Sequence, residues 1–297
     1  MKHIRILSPA KQIDEEAINF AVSYLKEKGF KVDVGNFAGG QYHYFSGTKD
    51  ERFKDFQNAL DDSSVDVILC ARGGYGSVQI IDELDFTEFV KKPKLIVGYS
   101  DITVFHHHIF GQFNNPSLHA TAPLNFKENT ADSLDSLINA LNGGVNSYSF
   151  DPQKYNIQGN AEGVVVGGNL AIVYSLIGTN SDVDFDNKIL FLEEVGEALY
   201  SVDRMFYSLK KANKLKCLKG VVIGGMTNLK DSEIPYGKSV EEIIYDHVKP
   251  LNIPLGFNFP AGHIQDNRAV LIGKSAKIKI GRNESIFEQD CNIDLES

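Results

Sequence analysis

Little in this chain suits an exported, membrane-bound or nucleic-acid-binding protein. Cysteine is scarce: Cys70, Cys217 and Cys291 are widely spaced and odd in number, so they build neither a disulfide framework nor a zinc site. No run reaches the roughly 18 apolar residues that a membrane span requires. The first residues, Met1 to Pro9, read as a short strand and a turn. They lack the roughly 7–15-residue apolar core of a secretion signal, so a cytoplasmic location is expected. Positive charge is also short. Thirty Lys and Arg stand against 39 Asp and Glu, a net charge of −9, whereas a phosphate backbone is neutralised by clustered cations; no nucleic-acid partner is expected. Internal repeats and low-complexity segments are missing too. What remains is 297 residues, room for one large or two ordinary domains with ample core.

The first half alternates strand and helix patterns. Ile4–Leu7 is strand-like, and over Asp14–Lys28 the residues Ala17, Ile18, Ala21, Val22 and Leu25 share one helical face. Gly29 then stands where a helix C-terminus favours glycine. Phe30, Val32 and Val34 alternate as a half-buried strand, Asp50–Leu60 reads as a helix, and Val65–Cys70 and Leu95–Val97 are apolar strands. Such alternation implies an α/β fold, a mostly parallel sheet with helices on both faces and ligands at the strands' C-terminal ends. Beyond a helix at about Thr130–Leu141, the polar stretch 146–163 is the expected linker. The expected organisation is an N-terminal α/β domain over 1–145 and a second α/β domain of mixed sheet over 164–297.

Two loops should therefore lie on one sheet edge. Ala71-Arg72-Gly73-Gly74-Tyr75-Gly76 follows the third strand, and Gly98-Tyr99-Ser100-Asp101 follows the fourth. A serine at a strand-to-helix corner lifts its hydroxyl above the sheet, and the amides that open the next helix can hold an oxyanion. Such elbows usually carry a glycine two residues after the serine; here that position is Ile102. Taken alone, Gly-x-Ser-Asp describes a helix cap as well as a nucleophile. The glycines at 73–76 match neither dinucleotide-binding nor P-loop spacing, but they allow backbone N–H groups to approach a substrate oxygen. Arg72 beside them is either a surface residue or a partner for a substrate carboxylate.

An activated serine needs a base, and the base needs an orienting acid. Of eight histidines, the run His106–His108 cannot converge on one metal ion, because consecutive helical side chains diverge by about 100°. His3 and His247 read as structural or solvated; His43 and His119 lie in loops that could line a pocket. His263 stands in the turn-rich Phe259-Pro260-Ala261-Gly262-His263, which suits either a functional loop or a plain surface position. Glu193 and Glu194 end the strand Ile189–Leu192 and should point to opposite sides, one toward a site and the other toward solvent. The acidic run continues to Glu197, so spacing alone does not choose among them.

Several separated segments agree with one family. In order they are Phe45-Ser46-Gly47-Thr48 with Glu51-Arg52, Ala71–Gly76, Val97-Gly98-Tyr99-Ser100-Asp101, Val166-Gly167-Gly168-Asn169-Leu170, Leu190–Glu194, Asp203-Arg204 and Gly262-His263. On these segments the chain resembles the LD-carboxypeptidases, serine peptidases that include muramoyl-tetrapeptide carboxypeptidase and the microcin C self-immunity peptidase. The resemblance implies a flavodoxin-like N-terminal domain bearing the nucleophile, a C-terminal domain supplying Glu and His, an active site between them, and commonly a homodimer. By position it implies Ser100 as nucleophile, His263 as base, Glu193 as orienting acid, and the N–H groups of Gly74 and Asp101 as oxyanion donors. Arg72 and Gly73 are expected to touch substrate. No metal or other cofactor is expected. Two departures stand out: Glu193-Glu194 replaces the family's usual Glu-Asp, and His119-Ala120-Thr121-Ala122-Pro123 replaces a common His-Gly-Pro.

The activity so implied is hydrolysis of an L,D peptide bond, releasing terminal D-alanine from a murein tetrapeptide in cell-wall recycling. An amidase cleaving peptidyl or aminoacyl nucleotides is the alternative within the family. A two-lobed protein that binds a small ligand without turning it over is the alternative outside enzymology.

Overall fold

Short apolar strands and amphipathic helices alternate through the first 120 residues because parallel neighbours can be joined only by a crossover connection, which a helix usually supplies. The computed structural model of the chain describes residues 1–293; the last four positions of the expected C-terminal domain, 294–297, lie outside the described residues. The elements run β1 (His3–Leu7), α1 (Glu15–Glu27), β2 (Lys31–Val34), α2 (Lys49–Asp61), β3 (Val67–Cys70), α3 (Thr87–Lys91), β4 (Leu95–Gly98), α4 (Thr103–Phe113), β5 (Ser117–His119) and α5 (Ala131–Leu141). There follow β6 (Val145–Phe150), β7 (Gly159–Asn169), α6 (Leu170–Ser175), β8 (Ile189–Val195), α7 (Leu199–Lys211), β9 (Gly220–Thr227) and α8 (Val240–Val248). The chain closes with β10 (Leu255–Gly256), β11 (Val270–Ile272), β12 (Ser275–Ile280) and β13 (Ser285–Asp290).

The first sheet has the order β11-β5-β4-β3-β1-β2. Its first five strands by sequence are parallel in the flavodoxin-like order 2-1-3-4-5, so the loops after β1, β3 and β4 share one edge. β11 returns from the far end of the chain and pairs antiparallel with β5. The second sheet, β10-β9-β8-β7-β12-β13-β6, is mixed: β7 to β10 are parallel, whereas β7, β12, β13 and β6 are antiparallel.

Part of the stretch expected as a linker is strand. Residues 145–150 form β6, and β7 begins at Gly159. Its sequence hides the pattern because one inward position is polar: Asn146 is buried and donates to the carbonyls of Ser136 and Ala269, while Tyr148 and Phe150 fill the core. β11 is equally unreadable, being three residues of an apolar run whose partners in β5 lie 151 to 155 positions away.

α4 explains the histidine run. Its residues Thr103–Ile109 are all buried, because the helix packs against β4 and β5 on one side and α6 and β7 on the other. A helix enclosed all round carries no polar face. Each histidine therefore finds its own surroundings. His106 bridges Ser117 Oγ and the Gly98 carbonyl, His107 packs edge-on to Phe185, and His108 meets Ser181 Oγ. Burial pushes the His106 imidazole down to about 4, so it serves as a neutral strut under the β4 corner.

Candidate functional site

β4 ends at Gly98, and after Tyr99 the chain turns through a 3-10 turn, Ser100–Ile102, into α4. At this corner Ser100 has φ 63°, the left-handed region that costs a non-glycine residue about 1–2 kcal/mol. Such a conformation persists only where its surroundings over-determine it. They do so here. The Ile102 N–H bonds back to the Tyr99 carbonyl, and the buried Asp101 carboxylate accepts from the Ser77 N–H at 2.8 Å. Gly73 lies directly against the turn, where an added Cβ would sit 2.8 Å from Ser100 Cβ and 3.1 Å from the Asp101 nitrogen. Glycine is thus required at 73 by close approach.

The Gly73–Gly76 loop is itself held by Arg52. This buried guanidinium donates to the carbonyls of Pro9 (2.8 Å) and Gly76 (3.1 Å) and to Gln79 Oε1 (2.6 Å), and it lies over the Phe45 ring. The Thr48–Glu51 capping box of α2 sets the first turn from which it projects. The segment Phe45–Thr48 with Glu51-Arg52 therefore braces the glycine loop from behind. The amides of Gly74 and Asp101 donate no hydrogen bond among the described residues.

From the other sheet, Glu193 and His263 arrive together. Where β8 pairs with β9, Leu192 faces Ile223 but Glu194 faces Met226, so Gly224 and Gly225 oppose the single residue Glu193. This two-against-one irregularity is a bulge of glycines. It leaves space for the Ala261–His263 loop, whose Ala261 carbonyl accepts from the Gly225 N–H at 2.9 Å. Gly262, at φ 108°, then packs on the glutamate: a Cβ there would meet Glu193 Cβ at 2.6 Å and Oε2 at 2.8 Å. Asn267 Oδ1 fixes the Gly262 N–H at 2.7 Å.

The outcome is a short contact. His263 Nδ1–H donates to Glu193 Oε2 at 2.6 Å, and the His263 backbone N–H approaches the same oxygen at 3.2 Å. Glu193 is fully buried, and its Oε1 has no hydrogen-bond partner among the described residues. Burial by itself would lower the His263 pKa, but the hydrogen bond and charge of Glu193, with Glu194 behind it, outweigh burial and hold it above the ordinary histidine value.

Ser100 and His263 line one cavity of about 280 Å³, together with Arg72, Gly73, Gly74 and Tyr99. Among the described residues no hydrogen bond joins the two side chains; in unliganded sites such contacts are often loose. Of the residues that the resemblance assigns, Arg72, Gly73, Gly74, Ser100 and His263 line this cavity, while Glu193 stands behind the imidazole and the Asp101 side chain turns away to the Ser77 N–H. A groove of about 410 Å³ on β7 and β12–β13, edged by Glu162, Lys277 and Glu288, brings no nucleophile or base together.

Several expectations need correcting. Glu194 does point away from the imidazole, but not into solvent. It is buried and accepts from Asn169 Nδ2 (3.1 Å), the Ala171 N–H (2.7 Å) and the Val195 N–H (2.7 Å), anchoring the start of α6. His247, read as structural or solvated, needs no such correction: it is buried and bonded to Asp203 at 2.7 Å, the structural case. His43 and His119 do not line the cavity; His119 is enclosed between Tyr99 and Phe191. The Ala120–Pro123 departure is buried behind the wall, whose cavity-facing residues are Leu124 and Asn125. Sequence reading missed Tyr99, Leu124, Asn125 and Val195, which reach the cavity through loop geometry that no periodicity encodes. Among the described residues no group of three or more His, Cys, Asp or Glu side chains is arranged to hold a metal ion.

Residues 4–120 match the LD-carboxypeptidase N-terminal domain, and residues 162–278 match the LD-carboxypeptidase C-terminal domain. The chain belongs to the LD-carboxypeptidase family. It is 29% identical to a Bacillus subtilis protein named probable murein peptide carboxypeptidase, over 96% of this chain and 91% of that one. It is 27% identical to the murein tetrapeptide carboxypeptidase of Pseudomonas aeruginosa, over 94% of each. The crystal structure of muramoyltetrapeptide carboxypeptidase from Oxalobacter formigenes superimposes with a TM-score of 0.88 at 24% identity, covering 97% of this chain and 98% of that one; it shows the shared fold. In this LD-carboxypeptidase the two matched domains are those that carry Ser100 and the Glu193–His263 pair, respectively. Among the described residues no helix is long and apolar enough to cross a membrane.

Proposed function

We propose that this chain is a serine carboxypeptidase that cuts the L,D peptide bond before a C-terminal D-residue and releases D-alanine from murein tetrapeptide. The observation that carries this reading is one cavity holding a serine in a left-handed corner and a histidine whose Nδ1–H is bound at 2.6 Å to a buried carboxylate. In this reading His263 Nε2 takes the Ser100 proton as Oγ attacks the carbonyl carbon. The Gly74 and Asp101 amides hold the resulting oxyanion. His263, now cationic and steadied by Glu193, gives the proton to the leaving amine nitrogen as the C–N bond breaks. Water, activated by the same imidazole, then cleaves the Ser100 ester. Arg72, whose Nη1 donates to the Gln12 carbonyl at 3.0 Å, receives the substrate's terminal carboxylate beside Gly73. The same reading takes 1–145 as the nucleophile domain and 164–297 as the domain of the base and acid, working as a cytoplasmic homodimer.

Incubation with L-Ala-γ-D-Glu-L-Lys-D-Ala should release free D-alanine, detected by mass spectrometry. An unchanged peptide would refute the reading. A second reading, hydrolysis of an aminoacyl nucleotide, is favoured by Tyr44 and Tyr75, which are 42% and 49% exposed at the glycine loop and could stack a nucleobase. Cleavage of an aminoacyl sulfamoyl adenosine without release of D-alanine from the peptide would select it.

A further inference from the structure

The cleft does not end at His263. Past the imidazole it opens into a second lobe of about 560 Å³ that shares Tyr99, Asn125, Val195 and His263 with the first. The two lobes differ in charge. Arg72 supplies the guanidinium on the Ser100 side; on the far side the lining includes the carboxylate of Glu128 and no Lys or Arg. The charges flanking Glu128 on its turn are already matched, Lys127 with Glu16 and Asp132 with Arg268, whereas Glu128 is exposed to the lobe without an ion-pair partner among the described residues.

Its position is fixed by the backbone. The Glu128 N–H donates to the Asn125 carbonyl at 2.9 Å, and Asn125 Oδ1 accepts from the Tyr99 hydroxyl at 2.7 Å. Across the cleft, the Gln265 carbonyl accepts from Asn129 Nδ2 at 2.7 Å and from the Thr130 N–H at 3.1 Å. The Tyr99 phenol lies in the field of both ends: burial raises its pKa most, Glu193 and Glu128 add to the rise, and Arg72 opposes it.

A murein tetrapeptide has matching charges. Its terminal D-alanine bears a carboxylate, and the residue before the scissile bond has a side chain carrying an amino group. With the carboxylate toward Arg72 the amino group faces Glu128; the reverse orientation sets like charges against each other. We propose that Glu128 reads the ammonium group on the side chain preceding the scissile bond, which makes the second lobe the specificity pocket for an amino-bearing residue. This rests on the carboxypeptidase reading above.

The test compares L-Ala-γ-D-Glu-L-Lys-D-Ala with the same peptide carrying L-norleucine, which has nearly the same shape without the charge. The lysine peptide should be favoured about two- to fivefold in kcat/KM, mainly through KM, as an exposed ion pair allows. That preference should shrink as salt is raised. E128Q should bring the ratio close to one, and E128K should invert it. A preference that survives in E128Q, or a wild-type enzyme that releases D-alanine equally from both peptides at low salt, would overturn the inference while leaving the carboxypeptidase reading intact. The salt series on the wild-type chain tests it without any variant. Release from neither peptide would overturn both.

Discussion

Gly262→Ala isolates the contact that aims the imidazole. The new Cβ would lie 2.6 Å from Glu193 Cβ, 2.9 Å from Cγ and 2.8 Å from Oε2, all well inside van der Waals contact. The backbone there, at φ 108°, is also unfavourable for alanine. The conformational part costs about 1–2 kcal/mol and the overpacking a further ~1–3 kcal/mol, because Glu193 is enclosed and cannot swing clear. Gly178→Ala supplies the control: it too has positive φ, 78°, but nothing lies within 4 Å of its added Cβ. Both variants should lose the conformational part in chemical denaturation. Only Gly262→Ala should also displace the Glu193–His263 pair, and a shift of about 1 Å at a reacting group costs on the order of 10²-fold in rate. D-alanine release and labelling of Ser100 by a serine-directed reagent would measure this. If Gly262→Ala matched Gly178→Ala in both stability and labelling rate, the argument that this glycine sets the base would be refuted.

Ser100→Ala and His263→Ala should each lower kcat on the order of 10⁶-fold, as when a serine hydrolase loses its nucleophile, with the double variant scarcely worse; additive losses in kcat would show that the pair does not act as a unit. Ser100→Ala should melt within a few degrees of wild type, whereas His263→Ala, which leaves the buried Glu193 carboxylate without its side-chain partner, should melt lower. Glu193→Ala should keep more activity than either. Because Glu193 holds the His263 pKa above about 6.5 and the base must be neutral, kcat/KM should fall as pH drops through that raised value. The stability contributed by the protonated pair runs the other way, full below about pH 6.5 and lost as pH rises through the raised value; Glu193→Gln should move the activity limb downward, and an unmoved limb would assign it to another group. Glu194→Ala, which strands the Asn169, Ala171 and Val195 donors, should cost roughly 2–4 kcal/mol in a denaturant titration.

Much of the N-terminal sheet is legible in the sequence because its strands are continuous apolar runs and its helices have clean faces: Lys49–Asp61 and Ala131–Leu141 lie within a residue or two of their periodic patterns. β6 and β11 are not legible, since pairing partners far along the chain decide them. The cavity is legible only in part. Glycines and a serine after parallel strands point to one edge, but the 70-residue separation of Glu193 and His263 carries no geometric signal, and their pairing was implied only by family resemblance. The burial of Arg52 on α2 follows from three carbonyl oxygens and a side-chain amide that no local pattern announces.

The consecutive pair Glu193-Glu194 shows how one fold feature assigns two duties. Strand alternation alone sends the carboxylates to opposite faces. What each meets is set by its neighbours. On one face the start of α6 offers the Ala171 N–H and the Asn169 amide, so Glu194 is satisfied as a buried cap, even though burial raises its pKa. On the other face the Gly224-Gly225 bulge replaces side chains with space, and the loop that enters brings His263 to Glu193. Without the bulge, side chains from β9 would fill that space: a Cβ on Gly224 would lie 2.3 Å from the Ala261 carbonyl oxygen, and one on Gly225 would lie 2.7 Å from Ile264. Gly224→Ala should therefore lift the histidine loop and slow Ser100 labelling while leaving the Glu194 cap, on the opposite face, in place. Hydrogen exchange at the Ala171 amide, unchanged beside a faster-exchanging Gly225 amide, would distinguish this local effect from general loosening. Equal loss of protection at both amides would show that the two faces of β8 are not independent.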